Sequence, residues 1–472
     1  MKTVRRAVAA AVAAGLLAAC GSGGADDKAG NGASGGSSPS AGASPKPSVK
    51  APEGFDTTKG WYASLDWLPE EQVSSRPPVE AVPKAGVVAF LQRKGERYVV
   101  EARDAVTGKL RWSSAQWQPP APEDSEDEDV VPRLLVVNED GREYVALWAY
   151  GQGKGEAASG AETSGEDAAG DEESKAVSFV FYPADSSGKD IAPVRTVAIP
   201  ADADKSGVTV DAGGNGVAVR WLRPMHAAPD SATIDISGNR VQTYPEGKVE
   251  LPPVCAGEGR DSCSSGEVAG LSPDGPVVAL DTGGFGVGGV WVSRDAVPPG
   301  TNSAAPGDRV WQILGGHVIA SWNPPNGVAG WGATAVMAVH DLKSGKLKTS
   351  LRCDTEAGPA YGLFKPVLSP NGRYAVAGTL AVDFERDQAH CLDDQAAAPV
   401  QLLSVGDDGI AYGYQKADSP SGHVPVAVPL DTGKAQALPK DAEVPFLSLE
   451  EAGGFELPGD GPGKQFVFHP RR

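Results

Sequence analysis

Two types of turn alternate along most of this chain, and their regular spacing limits the folds open to it. The first type carries Asp-Gly, Asn-Gly or a similar pair, at residues 138–141, 214–216, 272–275, 369–372 and 407–409. Such pairs tolerate the positive φ angles of tight hairpins, so each marks a strand, a reversal and a second strand. The second type reads Asp, up to two residues, Ser or Thr, then Gly, at residues 104–108, 185–188, 235–238, 341–345 and 431–433.

The distance from a first-type turn to the following second-type turn is nearly constant. It is 22 to 24 residues in three repeats, Gly86 to Gly108, Gly216 to Gly238 and Gly409 to Gly433. A hairpin, two further strands and a closing turn, recurring at roughly fifty residues, make one four-stranded blade. Blades of this kind pack radially into a β-propeller.

The number of blades follows from counting first-type turns. Glycines 86, 141, 216, 275, 316, 372 and 409 mark seven units, but the second-type turns after Gly275 and Gly372 are poor. The tail at residues 465–470 has the pattern of a strand that closes the ring on a blade built from the N-terminal end. We predict an all-β fold over residues 55–472, a single β-propeller of about seven (six to eight) four-stranded blades.

Two motifs resemble known propeller families. Residues 102–112, ARDAVTGKLRW, match the A-x-D-x-x-T-G-x-x-x-W repeat of quinoprotein-like (PQQ-repeat or WD40-like) propellers at every fixed position. Residues 272–275 and 369–374 are similar to the SPDG-type turns of secreted propellers. The resemblance implies a fold much more than an activity. A quinone cofactor in that family goes with calcium, a carboxylate base and, in several members, adjacent cysteines, which this chain lacks, so we predict no cofactor.

The segment VVALDTGG, at residues 277–284, resembles the start of each half of a pepsin-like active site. A second DTG lies at residues 431–433. In that family Ser or Thr follows DTG and the two aspartates share a proton, whereas Gly and Lys follow it here. We interpret Asp431 as part of a second-type turn, in which an Asp accepts hydrogen bonds from turn amides. Asp281 falls outside the repeat.

The N-terminus has the three zones of an export signal. Lys2, Arg5 and Arg6 precede an apolar run at residues 7–17, and Leu-Ala-Ala-Cys ends at Cys20. This ending resembles the lipobox of bacterial lipoproteins, which implies that residues 1–19 are removed and that Cys20 is diacylated. An ordinary secretory signal is the alternative. Residues 20–54, rich in Gly, Ser, Ala and Pro, predict a disordered tether.

Four further cysteines indicate disulfides, since an even number in an exported chain is typical of them. Three pairings are possible, and we favour the sequence-local pairs Cys255–Cys263 and Cys353–Cys391. We predict no metal site, because the chain has no C-x-x-C pair and its six histidines are scattered.

Three other features have a structural and a functional interpretation. Aromatic side chains are dense in one span: Phe285, Trp291, Trp311, Trp322 and Trp331. We favour packing between blades over a platform for glycan or peptide. Residues 284–289 fit G-x-G-x-x-G, but a strand pattern follows, which favours a turn over a dinucleotide site. The NPPNG segment, residues 323–327, predicts an exposed loop.

The charge disfavours a nucleic-acid partner. The formal net charge is −19, and removal of residues 1–19 would leave −22. Acidic residues are concentrated at 123–129, which we interpret as a solvated loop rather than a calcium site, and in a disordered insert at about 154–175.

We therefore expect a protein of the cell envelope that is not an enzyme. The membrane would hold it through Cys20, facing the extracytoplasmic side, and its propeller would be a scaffold or a recognition module for an envelope protein or glycan. The alternative is a secreted propeller enzyme, a quinone-type oxidoreductase or a hydrolase with an unrecognised site. A third possibility is a small-ligand sensor that uses the central channel. No residue is assigned a catalytic role, because no G-x-S-x-G or H-E-x-x-H motif occurs.

Overall fold

The computed structural model describes residues 49–68, 77–122, 130–153, 174–203, 207–226, 229–245, 249, 266–280, 283–301, 309–324, 334–354, 366–393, 398–416, 422–457 and 463–472. Within these residues the chain forms eight sheets, each with four antiparallel strands, and one of them gains a fifth strand that pairs in parallel. Residues 20–48 of the tether predicted at 20–54, the acidic loop at 123–129 and nearly all of the acidic insert lie outside the described residues.

The sheets are the blades of a propeller, numbered here along the chain. Strand β1 (Trp61–Leu65) comes first and belongs to the last blade. Blade I contains β2 (Val79–Val82), β3 (Val87–Lys94), β4 (Arg97–Asp104) and β5 (Leu110–Ser114). Blade II contains β6 (Arg133–Glu139), β7 (Arg142–Gln152), β8 (Lys175–Pro183) and β10 (Arg195–Pro200), while β9 (Gly188–Ile191) pairs parallel to β5.

Blades III to V follow with the same order of strands. Blade III contains β11 (Val208–Asp211), β12 (Val217–Trp221), β13 (Asp230–Asp235) and β14 (Arg240–Tyr244). Blade IV contains β15 (Val268–Ser272), β16 (Gly275–Ala279), β17 (Phe285–Val287) and β18 (Trp291–Val292), followed by a short 3-10 turn at Ser293–Ala296. Blade V contains β19 (Arg309–Leu314), β20 (His317–Trp322), β21 (Thr334–Asp341) and β22 (Leu347–Asp354).

Blades VI to VIII complete the ring. Blade VI contains β23 (Val367–Leu368), β24 (Tyr374–Ala377), β25 (Leu380–Asp383) and β26 (Gln388–Cys391). Blade VII contains β27 (Val400–Val405), β28 (Ile410–Lys416), β29 (His423–Pro429) and β30 (Gln436–Ala437). Blade VIII contains β31 (Leu447–Ser448), β32 (Ala452–Leu457), β33 (Lys464–Pro470) and, on its outside, β1.

Both predicted types of turn occur where the repeat places them. First-type turns connect the first and second strands of a blade, and we call them inner turns. Second-type turns follow the third strand and lead to the outermost one, with β9 intervening in blade II, and we call them outer turns. In a four-stranded antiparallel sheet these two connections lie at the same end. The turns therefore gather on one end of the propeller, which we call the turn face.

The ring has eight blades, the upper limit of the predicted range. The eighth was not counted because the turn between β31 and β32 has Glu450 and Glu451 where other blades have glycine. The tail does close the ring: β33 pairs with β32 on one side and with β1 on the other, with Phe468 opposite Trp61. The N-terminal strand thus supplies the outer strand of the last blade.

Apolar residues pack between the blades rather than around one centre. Each pair of neighbouring blades shares a buried apolar cluster, from the aromatic-rich group between blades II and III to the smaller group between III and IV. The cluster between VII and VIII includes Val49 and Phe55, which precede the first strand.

Side chains on several outer strands bond to the outer turn of the next blade. Four of them bond a backbone carbonyl there: Trp61 Nε1 to Ala105 (2.9 Å), Trp112 Nε1 to Ala184 (3.0 Å), Trp291 Nε1 to Leu342 (3.0 Å) and His390 Nε2 to Leu430 (2.9 Å). We call these side chains wedges. Some wedge rings pack directly against a glycine of the outer turn and leave no room for a Cβ there. At Gly345, which has a φ of 70°, an added Cβ would lie 2.5 Å from the Trp291 ring.

One predicted disulfide is confirmed. Cys353 on β22 and Cys391 on β26 are bonded, with Cα atoms 5.6 Å apart, and join the outer strands of blades V and VI. Cys255 and Cys263 lie outside the described residues. In the part of the chain that is described, no helix is long and apolar enough to cross a membrane.

Candidate ligand-binding cleft

The two DTG segments fall in different kinds of connection. Asp431 is in the outer turn of blade VII, as predicted. Asp281 and Thr282 lie outside the described residues, between β16 and β17 of blade IV. Blades IV and VII are not adjacent, so the strands that precede the two DTG segments do not pair as the halves of an aspartic dyad would.

The turn at Asp431 differs in one detail from the prediction. Pro429, not Asp431, takes the place of the capping Asp: its carbonyl accepts the amides of Thr432 (3.2 Å) and Gly433 (2.8 Å). In the outer turns of blades I and V, Asp104 and Asp341 do cap the turn through Oδ1.

The other sequence motifs are structural where the structure describes them. Phe285, Trp291 and Trp322 are buried together between blades IV and V, which confirms packing between blades, and Trp311 is half-buried beside the next cluster. Trp331 lies outside the described residues, as does most of the NPPNG segment. The G-x-G-x-x-G motif spans β17 and the turn before β18, so it is a glycine-rich turn.

A cleft on the turn face is the main candidate site among the described residues. Its cavity of about 1140 Å³ lies between blades II, III and IV. The walls are β10, β14, the segment 117–120 and the inner turns of the three blades. No sequence motif indicated this cleft, because its residues come from widely separated parts of the chain.

The cleft lies at the junction of blades II and III, where an arginine takes the place of an aromatic wedge. Arg195 begins β10 as Trp61 begins β1, and its Nη1 donates to the carbonyls of Asp235 and, at 3.5 Å, Ile236 in the next outer turn. Arg195 therefore replaces an indole ring at this interface. Its guanidinium lines the cleft, and its buried Nε has no hydrogen-bond partner within the described residues.

A buried carboxylate of blade II also fixes the outer turn of blade III. Glu139, at the end of β6, is 2% exposed, and its two oxygens accept the amides of Ile236 (2.7 Å) and Ser237 (2.6 Å). The outer turn of blade III is thus held twice: Arg195 donates to its carbonyls, and Glu139 accepts from its amides. Burial lowers the pKa of Arg195, and the charges of Asp235 and Glu139 oppose that shift.

The three inner turns of the cleft are bonded to one another. Asn215 exchanges hydrogen bonds with Asp140 of blade II (2.8 and 3.2 Å), and its amide donates to Leu271 of blade IV (2.7 Å). The neighbouring Gly214 has no room for a Cβ, which would overlap the Leu271 carbonyl. These contacts make the floor of the cleft a rigid surface.

The outer turn of blade III also contributes a fixed ion pair, Asp235 and Arg240, to the rim of the cleft. Asp235 accepts from Arg240 (2.8 Å) and from the Gly238 amide (2.6 Å). Burial alone would raise the pKa of Asp235, but these hydrogen bonds outweigh it and lower the pKa. Asp235 is therefore ionised near neutral pH, and its carboxylate is hydrogen-bonded to Arg240 and to the turn amide, which suits a structural role.

One group of possible metal ligands occurs among the described residues, and it is not at the cleft. Cys353, Cys391 and Asp393 lie close together, but the two sulfurs are joined in the disulfide and cannot act as thiolate ligands.

Comparison with known proteins assigns the chain to no family. No family model matches it, and no curated protein matches it. An uncharacterized protein from Listeria monocytogenes has a TM-score of 0.35 at 8% identity, covering 80% of this chain and 87% of its own. Polysaccharide lyase Uly1 has a TM-score of 0.34 at 10% identity, covering 84% and 90%.

An acylaminoacyl peptidase in complex with a chloromethyl ketone has a TM-score of 0.32 at 7% identity. That match covers 83% of this chain but 43% of the peptidase, so the chain spans less than half of that protein. Likenesses this distant carry no argument about activity.

Proposed function

We propose that this protein is a non-catalytic recognition module of the cell envelope, and that it binds its partner at the cleft between blades II, III and IV. The observation that carries the proposal is the cleft itself: a cavity of about 1140 Å³ with a floor fixed by interlocked turns. Rigid, preformed cavities lower the entropic cost of binding.

The state of two of the four carboxylates that line the cleft favours recognition over catalysis. Both oxygens of Glu139 accept backbone amides, and Asp235 is paired with Arg240. A general base needs a free lone pair within reach of a substrate proton. Glu139 is buried with both oxygens on turn amides, and the pKa of Asp235 is lowered, so neither carboxylate suits a general base.

The envelope location rests on the N-terminal sequence. Lipid attachment at Cys20, with the predicted tether at residues 20–54, would hold the propeller near the membrane. Substituting Cys20→Ser should release the protein from the membrane fraction without changing its unfolding temperature. A Cys20→Ser protein that stays membrane-bound would contradict lipid anchoring.

Cross-linking on intact cells tests the recognition role. A tagged full-length protein is cross-linked, purified and identified with its partners by mass spectrometry, beside a variant with Thr196→Trp on the cleft wall. We expect a partner whose yield falls in the variant. A wild-type protein with no partner above background, and with no bound envelope material, would overturn the proposal.

A further inference from the structure

We propose that the ligand of the cleft is an oligosaccharide, held by Arg195 and by the uncharged polar side chains of β10, β14 and the 117–120 segment. This inference rests on the proposed recognition function and names its ligand class.

The exposed lining of the cleft consists largely of amides and hydroxyls. Gln118, Thr196, Ser237, Asn239 and Gln242 are all exposed and all line the cavity. Amides and hydroxyls each donate and accept hydrogen bonds, as the hydroxyls of a sugar do. An uncharged, polyhydroxylated ligand can therefore pair with this wall throughout its length.

The buried guanidinium is the second observation that points to a ligand. Arg195 is 9% exposed, and among the described residues its hydrogen bonds all run from Nη1 to backbone carbonyls. Buried donors without acceptors are costly. Nε is buried below the cleft surface, but sugar oxygens that reach the N–H groups on Nη2 would form charge-assisted hydrogen bonds, the stronger kind.

One wall offers an apolar surface beside these polar groups. Trp117 is half-buried, and its backbone is fixed by two hydrogen bonds to Tyr98 (2.8 and 2.9 Å). Pro119 and Pro120 continue this wall into the cavity. An indole and proline rings provide rigid apolar area at a wet site, against which the C–H face of a sugar ring can pack.

Size and charge favour an oligosaccharide over other ligands. The cavity of about 1140 Å³ exceeds the roughly 300–1,000 Å³ typical of single small-molecule pockets. The rim carries Asp140 and Asp274 as well as Arg240, so neither a strongly anionic nor a strongly cationic ligand matches it throughout. Peptide-binding grooves more often present apolar pockets for alternate side chains.

Binding to envelope material treated in two ways tests this inference. Full-length protein is mixed with the cell-wall fraction of the cells that produce it, which is used untreated, after proteinase digestion or after periodate oxidation of its sugar diols. The protein that sediments with each fraction is measured. We expect binding to survive proteinase and to be lost after periodate.

Three variants locate the binding to the cleft. Arg195→Gln and Thr196→Trp should each weaken binding about tenfold, as expected for loss of a hydrogen bond to a charged group or for a filled cavity. Arg97→Gln, an exposed arginine on blade I, is the matched control and should bind as the wild type does. Thr196→Trp leaves the Arg195 hydrogen bonds intact, so it tests the cleft even if Arg195→Gln is unstable.

The contrary outcomes are distinct. Binding that is lost after proteinase and survives periodate would identify a protein ligand, overturning the oligosaccharide while leaving the recognition function. Cleft variants that bind as tightly as the wild type would overturn the site. No binding to any fraction, together with no cross-linked partner in cells, would overturn the recognition function itself.

Discussion

At the scale of single residues, Glu139 makes a clear prediction. Its two oxygens accept two backbone amides in a buried setting, and the amide of a glutamine can accept through only one oxygen. Glu139→Gln should lower the free energy of unfolding by about 2 kcal/mol, measured by urea denaturation. Glu450→Gln, at an exposed turn, is the control. Equal stability of the two variants would mean that Glu139 does not hold the turn.

A second residue predicts how stability depends on pH. Asp383 is almost fully buried; burial would raise its pKa, but hydrogen bonds from Arg373 and from two backbone amides outweigh this and lower it. A lowered pKa in the folded state stabilises the protein above the usual pKa of Asp, and this contribution disappears as the pH falls through the folded value.

We therefore expect Asp383→Asn to cost about 2 kcal/mol near pH 7 and progressively less below about pH 4. Urea denaturation of both proteins across this range measures the difference. A gap that stays constant with pH would show that the cost comes from packing and not from the charge.

At the scale of elements, the wedges predict a difference between two glycines. Gly345 and Gly372 have similar φ angles, 70° and 74°, but a Cβ would overlap Trp291 at the first and would meet nothing at the second. Both substitutions to Ala should cost about 1 kcal/mol for the backbone. Gly345→Ala should cost a further 1–3 kcal/mol from overpacking, measured by thermal or urea unfolding. Equal costs would mean that the wedge contact adds nothing.

The Cys353–Cys391 disulfide should contribute to the free energy of unfolding, and both substitution and reduction should remove that contribution. It closes a loop of 38 residues between β22 and β26, so replacing Cys353 and Cys391 by Ser should lower stability by about 3–4 kcal/mol. Dithiothreitol should destabilise the wild type more than the double variant, and the difference should equal the cost of the two substitutions, because reduction of the predicted Cys255–Cys263 bond affects both proteins alike. If the reductant destabilises both proteins equally, the Cys353–Cys391 bond adds nothing to stability.

The elements also show how much of the fold and of the cleft could be predicted from the sequence. Inner and outer turns depend on local chemistry, glycine for positive φ and Asp for capping, so their spacing indicated the blades. Blade VIII was missed because its inner turn has Glu450 and Glu451 and its outer strand comes from the other end of the chain. The cleft depends on Arg195, which occupies the place that an aromatic wedge has at four other junctions between blades, and this equivalence is visible only once the strands are aligned in space.

At the scale of the whole molecule, closure by β1 and the segment before it predicts that the N-terminal residues decide stability. Phe55 and Leu65 are buried, and Trp61 stacks on Phe468 at 4.3 Å while bonding to Ala105 of blade I. These residues join the two ends of the chain and the first and last blades. Their burial is worth roughly 1.5–3 kcal/mol for each large side chain.

Two deletions separate this role from that of the tether. A protein lacking residues 1–48 keeps every contact described here and should unfold at the wild-type temperature. A protein lacking residues 1–68 loses β1, so blade VIII keeps three strands and the clusters at its two neighbours lose their N-terminal members. We expect its unfolding midpoint to fall by at least about 10 °C in a scan by circular dichroism. Equal midpoints for the two deletions would mean that β32 and β33 close the ring without β1, and that the N-terminal strand is an addition to an already complete propeller.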